Sequence, residues 1–138
     1  MPAKNFYHDT VKHALEKDGW TITREGLPLA WGGTRAIIDI IADKVLVAEK
    51  HGRKIAVEVK SFIGQSNLSE LEKAIGQFVI YRLALRREDA ERELFIAVGE
   101  RIFNKLFVQP DVLELIELED LKIVVFDEVK QTIVKWIN

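Results

Sequence analysis

Lys54-Ile55-Ala56-Val57-Glu58-Val59-Lys60 is an apolar run broken by one carboxylate and closed by an ammonium. Strand side chains alternate between faces, so Ala56, Glu58 and Lys60 share one side and Ile55, Val57 and Val59 the other. A carboxylate in a strand otherwise fit for the interior costs several kcal/mol unless a metal, a cation or hydrogen bonds compensate it, on the order of the penalty for any buried charge. A Glu-x-Lys triplet is common on strands and by itself most often marks a surface ion pair. What changes its meaning is a second anomaly of the same kind upstream, Ile37-Ile38-Asp39-Ile40-Ile41.

Working outward, three apolar runs follow closely: Arg35 to Ile41, Val45 to Glu49 and Lys54 to Lys60, the last two separated by His51-Gly52-Arg53. They predict an antiparallel meander. Before it, Tyr7, Val11, Ala14 and Leu15 recur at helical spacing from Lys4 to Lys17, and Asp18-Gly19 ends the pattern. Trp20 to Thr23 reads as a short extended piece. After the meander, Asn67 with Glu70 resembles a capping box, and Leu68, Leu71, Ile75, Phe78 and Arg82 trace a helix to about Arg86. Leu94 to Val98 suits a buried strand that joins the sheet by a crossover. A helix from Arg101 to Val108, ended by Pro110, a short helix over Val112 to Leu118, and a hairpin of Leu121 to Phe126 with Thr132 to Ile137 complete the expectation. The class is α/β: a mixed sheet flanked by helices, with a C-terminal β-hairpin, in one domain over residues 1–138.

Composition narrows the chemistry. The chain has 138 residues, no cysteine, and 20 basic against 22 acidic side chains for a formal charge of −2. Disulfides and thiolate metal sites are excluded, so any metal must be held by carboxylates, carbonyls or the three histidines, which favours a hard ion such as magnesium or manganese. Net charge does not point to nucleic acid. Local groupings, Arg82 with Arg86 and Arg87, or Lys50, His51, Arg53 and Lys54, fit solvated surface better than a binding face. No stretch reaches the roughly 20 apolar residues of a membrane span, and Met1 to Asn5 lacks the apolar run of a signal peptide. A cytoplasmic protein is expected, with no membrane partner.

If Asp39 lies on a strand neighbouring Glu58, two hard oxygen ligands and an ammonium form a site suited to magnesium-assisted phosphodiester hydrolysis. Ile38-Asp39-Ile40, Val57-Glu58-Val59-Lys60 and Gln77-Phe78-Val79-Ile80-Tyr81 resemble the three successive motifs of PD-(D/E)xK nucleases. That resemblance implies a restriction-endonuclease-like core in the order αβββαβ. The Gln-x-x-x-Tyr spacing is similar to the helix motif of the subgroup related to the RecB nuclease domain, and residues four apart share a helix face.

Over essentially the whole chain the sequence resembles the XisH family, the factors controlling excision of the fdxN element. Lys17-Asp18-Gly19-Trp20-Thr21-Ile22-Thr23, Ala48-Glu49-Lys50, Ile55 to Phe62, Gly76-Gln77-Phe78 with Tyr81, and Ala97-Val98 carry it. The resemblance implies a DNA-processing role beside a site-specific recombinase and an XisI-type accessory protein. It implies Asp39, Glu58 and the Val59 carbonyl as ligands of Mg2+ or Mn2+, Lys60 as the group that orients or activates water, and Gln77 and Tyr81 as site supports or DNA contacts. A catalytically silent scaffold with the same fold is the alternative. On the first helix His8 lies at the edge of the buried stripe and is ranked as a site neighbour above Glu16, which points away from it. Glu49 is a reserve acid expected to pair with a lysine. The apolar terminal hairpin serves as core, or else as a homodimer contact.

Overall fold

The structure, a computed structural model, describes residues 6–27, 45–64 and 66–138. In chain order these form α1 (His8–Lys17), β1 (Thr21–Glu25), β2 (Val45–Lys50), β3 (Arg53–Lys60), α2 (Asn67–Glu88) and β4 (Arg92–Gly99). A short α3 (Glu100–Ile102) runs into a π-helical turn (Phe103–Phe107), followed by α4 (Pro110–Leu118), β5 (Ile123–Asp127) and β6 (Thr132–Ile137). The six strands make one mixed sheet in the order β1-β2-β3-β4-β5-β6. Pairs β3/β4 and β4/β5 are parallel, and the other pairs antiparallel.

Strand alternation divides the interior into two layers. Val45, Val47, Ala56, Leu94, Ile96, Val98, Ile123 and Val125 face α2 and the Phe103–Phe107 turn, where Phe78, Tyr81, Phe103 and Phe107 fill the space. Their neighbours Leu46, Ala48, Ile55, Val57, Phe95, Ala97, Val124 and Phe126 face the other way, onto Val11, Ala14, Leu15 and Trp20 of and beside α1. Each Leu, Ile or Phe removed from water on either side contributes roughly 1.5–3 kcal/mol. β6 closes the second layer, with Trp136 set edge-on against Phe95 at 5.0 Å and tilted against Trp20 at 5.7 Å.

Local chemistry explains the joints. His51 and Gly52 have φ of 49° and 81°, the two positive values of a type I′ turn, so β2 and β3 form a tight two-residue hairpin. The β3-α2-β4 unit is the crossover that a parallel pair requires.

Several expectations are corrected. The cap of α2 is Ser66, whose hydroxyl accepts from the Ser69 N–H at 3.2 Å, and not Asn67. Its buried stripe is Leu71, Ala74, Phe78, Tyr81, Ala84 and Leu85, while Leu68 is 65% exposed. The helical stretch from Glu100 stops at Val108, two residues before Pro110, as expected, but its middle is a π-helical turn, and Pro110 itself opens α4 two residues before the expected Val112, where its missing N–H costs nothing. The edge of β2 away from β3 is taken by β1, so the extended piece near Trp20 is a strand of the sheet. The expected strand Arg35 to Ile41, with Asp39, lies outside the described residues. No helix among the described residues is long and apolar enough to cross a membrane.

Candidate functional site

Glu58 stands on β3, which is paired on both sides, opposite Val45 of β2 and Ile96 of β4. Its residue is only 2% exposed, and its side chain points to the α2 layer with Ala56. Two positions on, Lys60 projects from the same face, and its Nζ lies 2.6 Å from Glu58 Oε1. The ammonium also donates to Gln77 Oε1 on α2. One helical turn further, Tyr81 is 3% exposed, and its hydroxyl has no hydrogen-bond partner among the described residues. Burial, and then the negative charge of Glu58, push the Tyr81 phenol well above its ordinary range. Four side chains from one strand and one helix thus converge: Glu58, Lys60, Gln77 and Tyr81.

The arrangement is a desolvated ion pair with a neutral acceptor behind the cation and a neutral phenol facing the anion. Taking two charges from water costs several kcal/mol per ion as an order of magnitude, so such a pair is weak as a stabilising device and demands another explanation. Chemically it offers a hard carboxylate, an ammonium fixed beside it, and a buried hydroxyl available as donor. Glu58 fits a single ligand for a hard divalent ion. Among the described residues no three carboxylates or imidazoles stand together, and Asp39 is not one of those residues. Val59 buries its side chain in the α1 layer, so what it can offer the site is its backbone carbonyl.

His8 is elsewhere. It lies on α1, against the opposite layer, where its Nε2 binds Glu25 Oε1 at 2.7 Å while Lys12 donates to Glu25 Oε2 at 3.0 Å. Those two bonds, His8 first, hold the Glu25 carboxyl below its usual range. Its burial reflects the α1 stripe, and the sheet stands between α1 and the Glu58 face. Glu49 pairs with Arg92 Nη2 at 3.5 Å, not with a lysine. The hairpin cations are also engaged: Arg53 with Glu93 at 3.2 Å and Lys54 with Glu91 at 3.8 Å.

Sequence reading missed the surface that adjoins Lys60. Ser61 and Phe62 leave β3 beside the exit of β4 at Gly99, and Arg101 and Lys105 follow on the next turns. Only the parallel register of β3 with β4 brings these segments together.

A family model described as XisH protein matches residues 1–134. The crystal structure of an XisH family protein from Nostoc punctiforme PCC 73102 is 40% identical, with a TM-score of 0.86 over 96% of this chain and 98% of that one. A fdxN element excision controlling factor protein from Anabaena variabilis is 41% identical, with a TM-score of 0.86 and the same coverage. None of the curated proteins matches the chain.

Proposed function

Because the chain belongs to the XisH family, we propose that it is a DNA-processing factor supporting programmed excision of a DNA element, acting as a magnesium-dependent endonuclease of the PD-(D/E)xK type. The observation that carries this reading is the buried Glu58–Lys60 pair, with Lys60 also bound to Gln77. Among the described residues α1, β2, β3, α2 and β4 follow in the order expected of a restriction-endonuclease-like core, whose remaining strand is the expected Arg35 to Ile41 with Asp39. The relative from Anabaena variabilis is named for excision control of the fdxN element.

In this mechanism Glu58, Asp39 and the Val59 carbonyl would hold Mg2+ or Mn2+. The bound ion would supply Lewis acidity and lower the pKa of water. Lys60, fixed by Gln77, orients the attacking water and stabilises negative charge growing on the phosphate. Tyr81 offers its phenol O–H to the carboxylate side of the site. DNA is the substrate, and a site-specific recombinase and an XisI-type protein are the partners in this reading.

The formal charge of −2 favours a second reading, a catalytically silent scaffold that binds those partners. The deciding experiment incubates linear, nicked and branched DNA with magnesium or manganese and wild type, Glu58→Ala or Lys60→Ala protein. Metal-dependent cutting by wild type alone is expected. Equal cutting by all three removes the assigned site, and none by wild type favours the scaffold.

A further inference from the structure

Beyond Lys60 the chain leaves β3 through Ser61 and Phe62, and β4 gives way to α3 at Gly99. Lys60 is in register with Val98, so the two exits lie side by side. A groove of about 240 Å³ opens there, with Tyr7, Ser61, Phe62, Arg101, Lys105 and Glu128 in its walls. We propose that this groove seats the phosphate backbone of a polynucleotide as it passes the Glu58–Lys60 pair, with Arg101 and Lys105 as the phosphate contacts. This deepens the DNA-processing reading and rests on it for the identity of the ligand.

Arg101 and Lys105 stand four residues apart and are both exposed, and the charge of Asp127 lies near Arg101. What distinguishes them is their place beside the exit of β3 at Lys60, where other cations of the described surface are engaged elsewhere or stand apart. Lys122 is bound to Glu93 at 2.9 Å, and Arg82 donates to the carbonyls of Glu119 and Asp120 at 2.8 and 3.2 Å. The groove holds one acid, Glu128, whose carboxylate is tied to the start of α3. Glu128 Oε2 accepts from the Arg101 backbone N–H at 3.0 Å, and Gly99 makes the space, since a Cβ there would sit 2.5 Å from that oxygen. Against that one carboxylate the groove sets two cationic side chains, Arg101 and Lys105.

The opposite wall is set rigidly. Phe62 has a φ of 52°, a left-handed conformation rare for a non-glycine residue, and its ring meets Phe107 edge-on at 5.6 Å. Such conformations persist where surrounding structure holds them, and they gather at functional sites. The volume falls below the roughly 300–1,000 Å³ of small-molecule pockets. A shallow cationic groove beside an aromatic wall instead matches how proteins track a nucleic-acid backbone.

The test is fluorescence anisotropy of a labelled oligonucleotide, single-stranded and duplex, titrated with the whole chain in EDTA over a range of salt. Wild type is compared with Arg101→Ala/Lys105→Ala and with Arg101→Lys/Lys105→Arg. Wild type should bind at least one form, with log K falling linearly in log salt. In the double alanine variant the slope should flatten by about 1.8 for duplex or about 1.4 for single strands, and affinity at low salt should drop about tenfold or more. The conservative variant should keep both, and all three proteins should melt alike because the side chains are exposed. Unchanged slope and affinity in the double alanine variant, or no binding by wild type, overturns the groove. Cleavage with magnesium, run in parallel, separates the two readings. Groove-dependent binding without cutting removes the nuclease and keeps the groove, whereas equal cutting by wild type and the double alanine variant does the reverse.

Discussion

The ammonium of Lys60 lies 2.6 Å from Glu58 Oε1, two residues back on the same strand, and the Glu58 side chain is left only 3% exposed. Lys60 is therefore what keeps a buried charge tolerable. Lys60→Met should cost about 3–5 kcal/mol, because it strands the carboxylate without its counter-charge. Glu58→Gln in the same chain should restore more than half of that loss. Urea denaturation of the two single variants and the double measures it. If the double is no more stable than Lys60→Met alone, the pair is not the reason.

Tyr81 presents the opposite imbalance, a buried hydroxyl without a partner among the described residues. Tyr81→Phe should raise stability by about 1 kcal/mol, since an unmade hydrogen bond in the interior is a net cost. If the phenol serves the proposed reaction, the same variant should be more stable and less active. A pH dependence follows as well. The folded state holds the phenol neutral, with its pKa raised by burial and by Glu58. The unfolded phenol ionises near about 10. Stability should thus be at its full value below that pH and fall above it, and Tyr81→Phe should lack this part of the alkaline loss. Melting temperatures on either side of that pH give the answer.

Arg92 joins three elements at the far end of the sheet. Its side chain is 9% exposed and pairs with Asp89 at 3.0 Å and Glu49 at 3.5 Å, and it donates to the Ile55 carbonyl at 3.1 Å. Arg92→Met, which keeps the apolar stem, should lose about 1.5–3 kcal/mol, the worth of a hydrogen bond from a charged donor. Arg92→Lys should recover little, because an ammonium cannot span these directions. A lysine variant as stable as wild type in denaturant would refute the role given to the fork.

How far the sequence led differs from place to place, for physical reasons. The β2-β3 hairpin, α2 and the β4 crossover were legible because each depends on local signals: a His-Gly turn, helical spacing, a short apolar run. The boundary of α2 was misplaced by one residue because Ser66 and Asn67 can both cap, and only the Ser69 contact distinguishes them. The start of α4 was placed two residues late because proline suits the first turn of a helix as well as it follows the end of one. Glu58, Lys60, Gln77 and Tyr81 were found as carboxylate and ammonium in an apolar strand and as a four-residue helix spacing. His8 was drawn toward the site by its place on the buried stripe of α1, yet nothing local reveals which layer of the sheet that helix covers. The groove beside Lys60 left no sequence signal, because parallel pairing across a crossover brings its walls together.

β3 has one further consequence. Glu58 sits in the strand bonded on both edges and covered on both faces, and such strands open only with the whole molecule. Its amide hydrogen should be among the last to exchange with solvent. The geometry around Glu58 is then as durable as the fold itself: mild damage elsewhere in the chain lowers the number of intact molecules but leaves each survivor fully formed.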